Sequence, residues 1–220
     1  MAAERAVEFV EDGMTVGLGT GSTAYWAIQK LGERVRQGLK IRAIGTSEQT
    51  ESMARELGIP LLDFATVNAL DVAIDGADEV AKCFALTKGG GGALLREKLV
   101  ASAASRFIVI VDSTKMVERL GHFPMPVEVV PFAWELTARR VEASGCRSTR
   151  RSQQDGTPFI TDNGNYILDC DFGEIADPRK THAYLKALPG VVETGFFIDM
   201  VSVVVESDGH RVDLHYPENQ

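Results

Sequence analysis

Four segments of this chain hold the residue types that do chemistry on small hydroxylated molecules. Asp75-Gly76-Ala77-Asp78-Glu79 sets three carboxylates just past an apolar run at 72–74. Two acids three residues apart, with a glycine between them, can both face one crevice. There they can bind sugar hydroxyls, exchange protons with them or hold a divalent metal. Lys88 opens a run of four glycines, Gly89-Gly90-Gly91-Gly92, ahead of Ala93 and Arg96-Glu97-Lys98. Consecutive glycines cost conformational entropy and suit backbone that approaches a ligand closely or takes a positive φ. Lys88 at the edge of that run can meet an anion, and Glu97 falls within two turns of the start of the next helix. Gly17-Leu18-Gly19-Thr20-Gly21-Ser22-Thr23-Ala24 joins a strand to a helix. Its amides and hydroxyls at a helix N-terminus form a cradle for phosphate. Asp112-Ser113-Thr114-Lys115 follows the apolar run 107–111.

Taken singly, each segment has a plainer reading: an acidic solvated turn, a surface ion pair for Glu97, a solvated Lys115. The turn from Gly19 to Ala24 also matches G-x-G-x-x-A, the dinucleotide fingerprint, and Gly17 to Gly21 equally suits a methyltransferase loop. Both readings want an acid at the end of the second strand to hold ribose hydroxyls. That strand ends Ile44-Gly45-Thr46-Ser47, with no acid before Glu48.

The elements that must position these residues alternate. Apolar runs at 15–18, 41–44, 61–62, 72–74 and 107–111 predict strands; helical spacing predicts helices at 2–11, 24–36, 48–57 and 93–104. Alternation of this kind means βαβ units and a parallel sheet. The four loops all follow strands, so the parallel-sheet rule puts them on one rim. After Pro124 and Pro126 the texture changes: a strand at 127–130, a helix at 132–144 and a strand at 146–151. Runs at 159–160 and 166–170 then flank Asp162-Asn163-Gly164-Asn165, a hairpin signal. A helix at 178–188 begins on Pro178, and a strand follows at 191–198. The expected fold is α/β: a Rossmann-like parallel sheet with helices on both faces, plus a small inserted ferredoxin-like α+β domain. The first domain takes 1–126 and 199–220, with strands at 201–205 and 212–214; the second takes 127–198.

Composition narrows the partners. In 220 residues, 23 Lys and Arg against 31 Asp and Glu give a formal charge of −8. That balance argues against nucleic acid and against an anionic membrane surface. No apolar stretch nears the roughly 20 residues that span a bilayer, and the acid-bearing start Met-Ala-Ala-Glu lacks the core of a signal peptide. Three scattered cysteines, Cys83, Cys146 and Cys170, show no metal-ligand spacing and read as reduced thiols of a cytoplasmic protein.

Together the segments offer an anion cradle, several carboxylates and two lysines, which suits proton transfer beside a carbonyl in a small phosphorylated sugar. At this point the chain resembles the type A ribose-5-phosphate isomerases. The four segments above carry the resemblance, joined by Phe123-Pro124-Met125-Pro126-Val127-Glu128-Val129, Thr161-Asp162-Asn163-Gly164-Asn165 and Leu188-Pro189-Gly190-Val191-Val192-Glu193-Thr194-Gly195. It runs in order over almost the whole chain. It implies a cytoplasmic aldose–ketose isomerase with no cofactor and no metal, acting on a small sugar phosphate as a homodimer or homotetramer. It implies Glu97 as the general base, Asp75 and Asp78 as holders of sugar hydroxyls, Lys88 beside the anionic oxygen or phosphate, and Lys115 as a substrate contact. Thr20, Gly21, Ser22, Thr23, Gly76, Ala77, Gly89, Gly90 and Gly91 would line the substrate. The chain departs from the family pattern in the apolar stretch 80–87, usually more polar, and at 198–201. It also has only Glu4-Arg5 where a lysine is usual. A nicotinamide-dependent oxidoreductase and a turnover-dead sugar-phosphate sensor are the competing readings; Thr46-Ser47 counts against the first and Glu97 against the second.

Overall fold

The computed structural model describes residues 1–217, which form two compact units. The first comprises Met1–Ala77, Arg96–Met116 and the chain from Met200 onward; the second comprises Asp78–Leu95 and Val117–Asp199.

The first unit is built on a six-stranded sheet. Its order is Val212–His215, Val203–Ser207, Phe107–Asp112, Val72–Gly76, Thr15–Leu18, Arg42–Gly45. Every pairing is parallel except that of the first two strands. The alternation of side chains decides the layers. Val16, Leu18, Val72, Ile74, Ile108 and Ile110 share one buried cluster with Ala27, Ile28 and Leu31 of the helix Ser22–Arg36 and Ala54 of the helix Glu48–Glu56. Gly17 and Ala73, between those positions, face the other way. A Cβ on Gly17 would stand 2.4 Å from Val100 of the helix Leu94–Ala103, so that helix covers the opposite face. Helices thus lie on both faces, as the alternating pattern predicts. Ser47 starts the helix Glu48–Glu56 by accepting the Thr50 amide at 3.1 Å, the usual role of a hydroxyl at that position.

The second unit holds an antiparallel sheet in the order Val191–Thr194, Met125–Val129, Tyr166–Asp171, Arg147–Arg150. With the helices Trp134–Glu142 and Pro178–Lys186 this is the β-α-β-β-α-β order of the ferredoxin-like pattern. Asp177 caps the second helix by accepting the Lys180 amide, with Pro178 in its first turn. The structure differs from the sequence expectations at several points here. The division expected at 126/127 and 198/199 is not the compact one, because 78–95 belong with the second unit. The stretch 80–87 is apolar because it forms two further short strands, Glu79–Ala81 and Leu86–Thr87, the latter paired with Phe196–Phe197; Val80 and Leu86 are fully buried. The run 159–160 is no strand: the partner of Tyr166–Asp171 is Arg147–Arg150. Asp162 to Asn165 do form a tight turn, with Thr161 N donating to Asn165 O at 2.9 Å. Buried Glu128 anchors that turn through Thr161 Oγ1 and Asn165 Nδ2, both at 2.9 Å. The strand expected over 191–198 breaks at Gly195, whose Cβ would stand 2.2 Å from Lys88 O.

Among the described residues no helix is long and apolar enough to cross a membrane.

Candidate active site

In the first unit the glycine turn and the first carboxylate meet directly. Val72–Gly76 is the neighbour of Thr15–Leu18 in the sheet, so Asp75 comes up beside the turn that leaves Leu18. Asp75 is 3% exposed. Its Oδ1 accepts N–H bonds from Thr20 at 3.1 Å and Gly76 at 2.8 Å. Bonds to a charged acceptor are each worth about 1.5–3 kcal/mol, so the carboxylate is held in one orientation. Gly19 is there because nothing larger fits: a Cβ would lie 2.1 Å from Asp75 Oδ1 and 2.7 Å from its Cα. Gly19→Ala is therefore expected to displace Asp75 and cut kcat/KM by an order of magnitude or more, about the penalty of a small misplacement. Steady-state kinetics on the folded variant check this; unchanged kinetics would free Asp75 from any substrate role.

Thr20 points its hydroxyl into the protein. Its Oγ1 lies 2.7 Å from Thr46 Oγ1 and 2.9 Å from Ser47 Oγ, and Thr50 Oγ1 donates to Gly19 O at 2.9 Å. This buried hydroxyl cluster locks the turn to the end of the second strand. Thr46 and Ser47 are 1% and 6% exposed, and they occupy the place where a dinucleotide fold needs a carboxylate for ribose. Gly21 has φ +107° at the start of the helix Ser22–Arg36; Gly21 and Ser22 are exposed and Thr23 is half-buried. Glu97 lies in the first turn of Leu94–Ala103 and is 4% exposed. Lys115 is half-buried in a single turn, Ser113–Lys115, that Asp112 caps by accepting the Thr114 amide at 2.9 Å.

In the second unit Asp78 meets the glycine run. Its Oδ2 accepts Gly90 N at 2.8 Å, and a Cβ on Gly90 would crowd Asp78 Oδ1 at 2.5 Å. Gly89 and Gly92 take φ of +99° and +84°, and the Phe159 ring fills the space beside Gly92 to 2.4 Å from a Cβ. Three of the four glycines thus have a steric cause. Lys88 is 2% exposed, with its ammonium 5.3 Å from the centre of the Phe197 ring and its amide bonded to Gly195 O at 2.8 Å. Glu79 plays a different part from its two acidic neighbours. It accepts the amides of Gly121, His122 and Phe123 at 3.1, 2.8 and 2.9 Å and the Thr87 hydroxyl at 2.8 Å, so it braces a loop.

Sequence reasoning missed Arg151 and Asp169. Arg151 donates to Gly89 O at 2.9 Å and Gly90 O at 3.0 Å and pairs with Asp169. In sequence Arg151 is only the last residue of the strand expected at 146–151. The hydroxyl cluster did leave a signal, the missing acid after Ile44.

A parallel sheet with a glycine turn after its first strand and a buried carboxylate after the next defines an α/β protein of the doubly wound class, its chemistry at the strands' carboxyl ends. Comparison with known proteins narrows the class. Residues 42–210 match the family model of ribose 5-phosphate isomerase A, also called phosphoriboisomerase A. The chain is 54% identical over 210 residues to ribose-5-phosphate isomerase A 1 of Oceanobacillus iheyensis, covering 95% of this chain and 93% of that one. It is 52% identical over 206 residues to the Bacillus mycoides ribose-5-phosphate isomerase A, covering 93% of each. A solved structure of the Methanocaldococcus jannaschii enzyme superposes with TM-score 0.93 at 40% identity, over 98% of this chain and 96% of that one. A D-ribose-5-phosphate isomerase solved in complex with phospho-erythronic acid gives 0.94 at 39% identity, with the same coverage. The chain belongs to the ribose 5-phosphate isomerase A family and is an aldose–ketose isomerase that interconverts D-ribose 5-phosphate and D-ribulose 5-phosphate.

Proposed function

We propose that Glu97 moves the proton in this isomerisation. Glu97 takes the C2 proton of the open-chain aldose, and the electron pair passes through the C1 carbonyl to its oxygen. The resulting enediolate is neutralised as the proton returns at C1 and the C2 hydroxyl, losing its own proton to the first oxygen, becomes the ketone. Asp75 and Asp78 hold sugar hydroxyls and help open the ring. Lys88 and the amides of the glycine run stabilise the anionic oxygen, a task that fixed donors perform well. Lys115 contacts the substrate, and residues 20–23, 76, 77 and 89–91 line it. The observation that carries the reading is the fixed Asp75, whose Oδ1 is held by Thr20 N and Gly76 N at the end of a buried strand. A relative bound to phospho-erythronic acid gives further support, because the carboxylate of that four-carbon phosphorylated acid is planar and anionic like an enediolate.

The reaction then needs no metal and no cofactor, and it belongs to the non-oxidative pentose phosphate pathway. Purified protein given ribose 5-phosphate is expected to form the ketose at the same rate with and without EDTA. Activity lost to EDTA and restored by Mg²⁺ would return Asp75 and Asp78 to the role of metal ligands. We place the enzyme in the cytoplasm as a homodimer or a dimer of dimers, supported by the family resemblance and by cysteines that pattern as reduced thiols. Light scattering on the purified protein is expected to give two or four times the chain mass; a monomer would overturn this.

A further inference from the structure

We propose that Arg151 is a positioning residue for the isomerisation, holding the Gly89–Gly90 peptide and, through it, the Asp78 carboxylate. The inference rests on the reading of Asp78 as a substrate contact. Arg151 lies just beyond the strand Arg147–Arg150 and is tied by its own backbone: its amide donates to Ile167 O at 2.8 Å and its carbonyl accepts Phe159 N at 3.0 Å. Its side chain is only 15% exposed. One edge of the guanidinium forks onto Asp169, Nε to Oδ2 at 3.0 Å and Nη2 to Oδ1 at 2.5 Å. Nη1 then reaches both Gly89 O and Gly90 O. The Phe159 ring lies 5.8 Å from the guanidinium carbon and also fills the space beside Gly92.

Peptide planarity makes this contact consequential. The Gly89 carbonyl and the Gly90 amide are one rigid trans unit whose C=O and N–H point in opposite directions. With the carbonyl fixed by Arg151, the N–H is aimed away from it, and there Asp78 Oδ2 accepts it at 2.8 Å. The second carbonyl, of Gly90, fixes the next peptide plane in the same way. A run of four glycines has no side chains to hold its shape, and an external clamp supplies what the run itself lacks. Lysine cannot replace arginine here, because only the planar fork meets a carboxylate and two carbonyls at once.

The test is a double-mutant cycle. Arg151→Ala is expected to lower kcat/KM on the order of 10- to 100-fold. If Arg151 acts through Asp78, the same substitution in an Asp78→Asn background costs less than about twofold, since residues of one network do not add. A merely stabilising role would instead shift the unfolding midpoint and leave the kinetics of folded enzyme additive across the cycle. Arg151→Lys keeps the pairing with Asp169 and serves if the alanine variant does not fold; it is expected to remain impaired by several-fold or more. Wild-type kinetics in Arg151→Lys, or additivity in the cycle, overturns the proposal while leaving Asp78 in place. Wild-type kinetics in Asp78→Asn overturns both together.

Discussion

Glu97→Gln is expected to remove turnover while leaving the protein folded and its affinity for ribose 5-phosphate within several-fold of the wild type. The amide has the shape of the carboxylate and can still donate or accept hydrogen bonds, but it cannot take up a proton from carbon. General-base catalysis contributes about 10²–10⁴-fold, so kcat should fall by that factor, with the effect on KM small. The position suits the role. Glu97 sits in the first turn of Leu94–Ala103, a helix held against the sheet where Gly17 leaves no gap before Val100. At 4% exposure its orientation is set by packing, not by solvent. Stopped assays for kcat and equilibrium binding of the substrate check the two halves of the prediction. A variant with near-normal kcat would take the base role away from Glu97.

Lys88→Ala carries the second large effect. Lys88 is buried, and burying an ammonium is costly unless its surroundings favour the charge; the face of Phe197 is one such surrounding. Its backbone is clamped as well, between the bond to Gly195 O and the close approach of Gly195 to its own carbonyl. A charge held this firmly acts on an oxyanion with little reorganisation. Removing one such donor costs about 10²–10³ in kcat, and Lys88→Ala should lose that much in kcat/KM. The loss should fall on kcat more than on KM, because the negative charge on oxygen is greatest in the transition state. Unchanged kinetics would show that the glycine amides suffice.

Much of this was legible in the sequence, for identifiable reasons. Asp75 stands at the end of an apolar strand, so a short apolar run and the parallel-sheet rule were enough to place it. Gly19 and the glycine run were visible because glycine is the one residue whose absence of side chain is itself the message. The six-stranded sheet and the β-α-β-β-α-β order followed from alternation and turn chemistry. What stayed hidden depended on long-range packing. Asp78 and Glu79 are adjacent acids with different partners, Asp78 accepting the Gly90 amide and Glu79 those of Gly121, His122 and Phe123. Arg151 reaches a loop some sixty residues away, and no local pattern marks that reach. The apolar stretch after Glu79 departed from the family pattern yet makes local sense, since Val80, Ala81 and Leu86 belong to two short strands buried throughout, and Ala85, just before the second, is buried with them. Ile198 to Val201 includes Asp199, which has φ +56° and pairs with Arg179 of the helix Pro178–Lys186 at 2.5 Å.

The most direct measurement is hydrogen exchange at carbon. Ribose 5-phosphate incubated in D₂O with the wild-type enzyme and EDTA, then recovered, should carry deuterium at C2, read by proton NMR. The same incubation with Glu97→Gln should leave C2 protonated. Exchange by Glu97→Gln at the wild-type rate would contradict the assignment of Glu97 as the base that moves the proton.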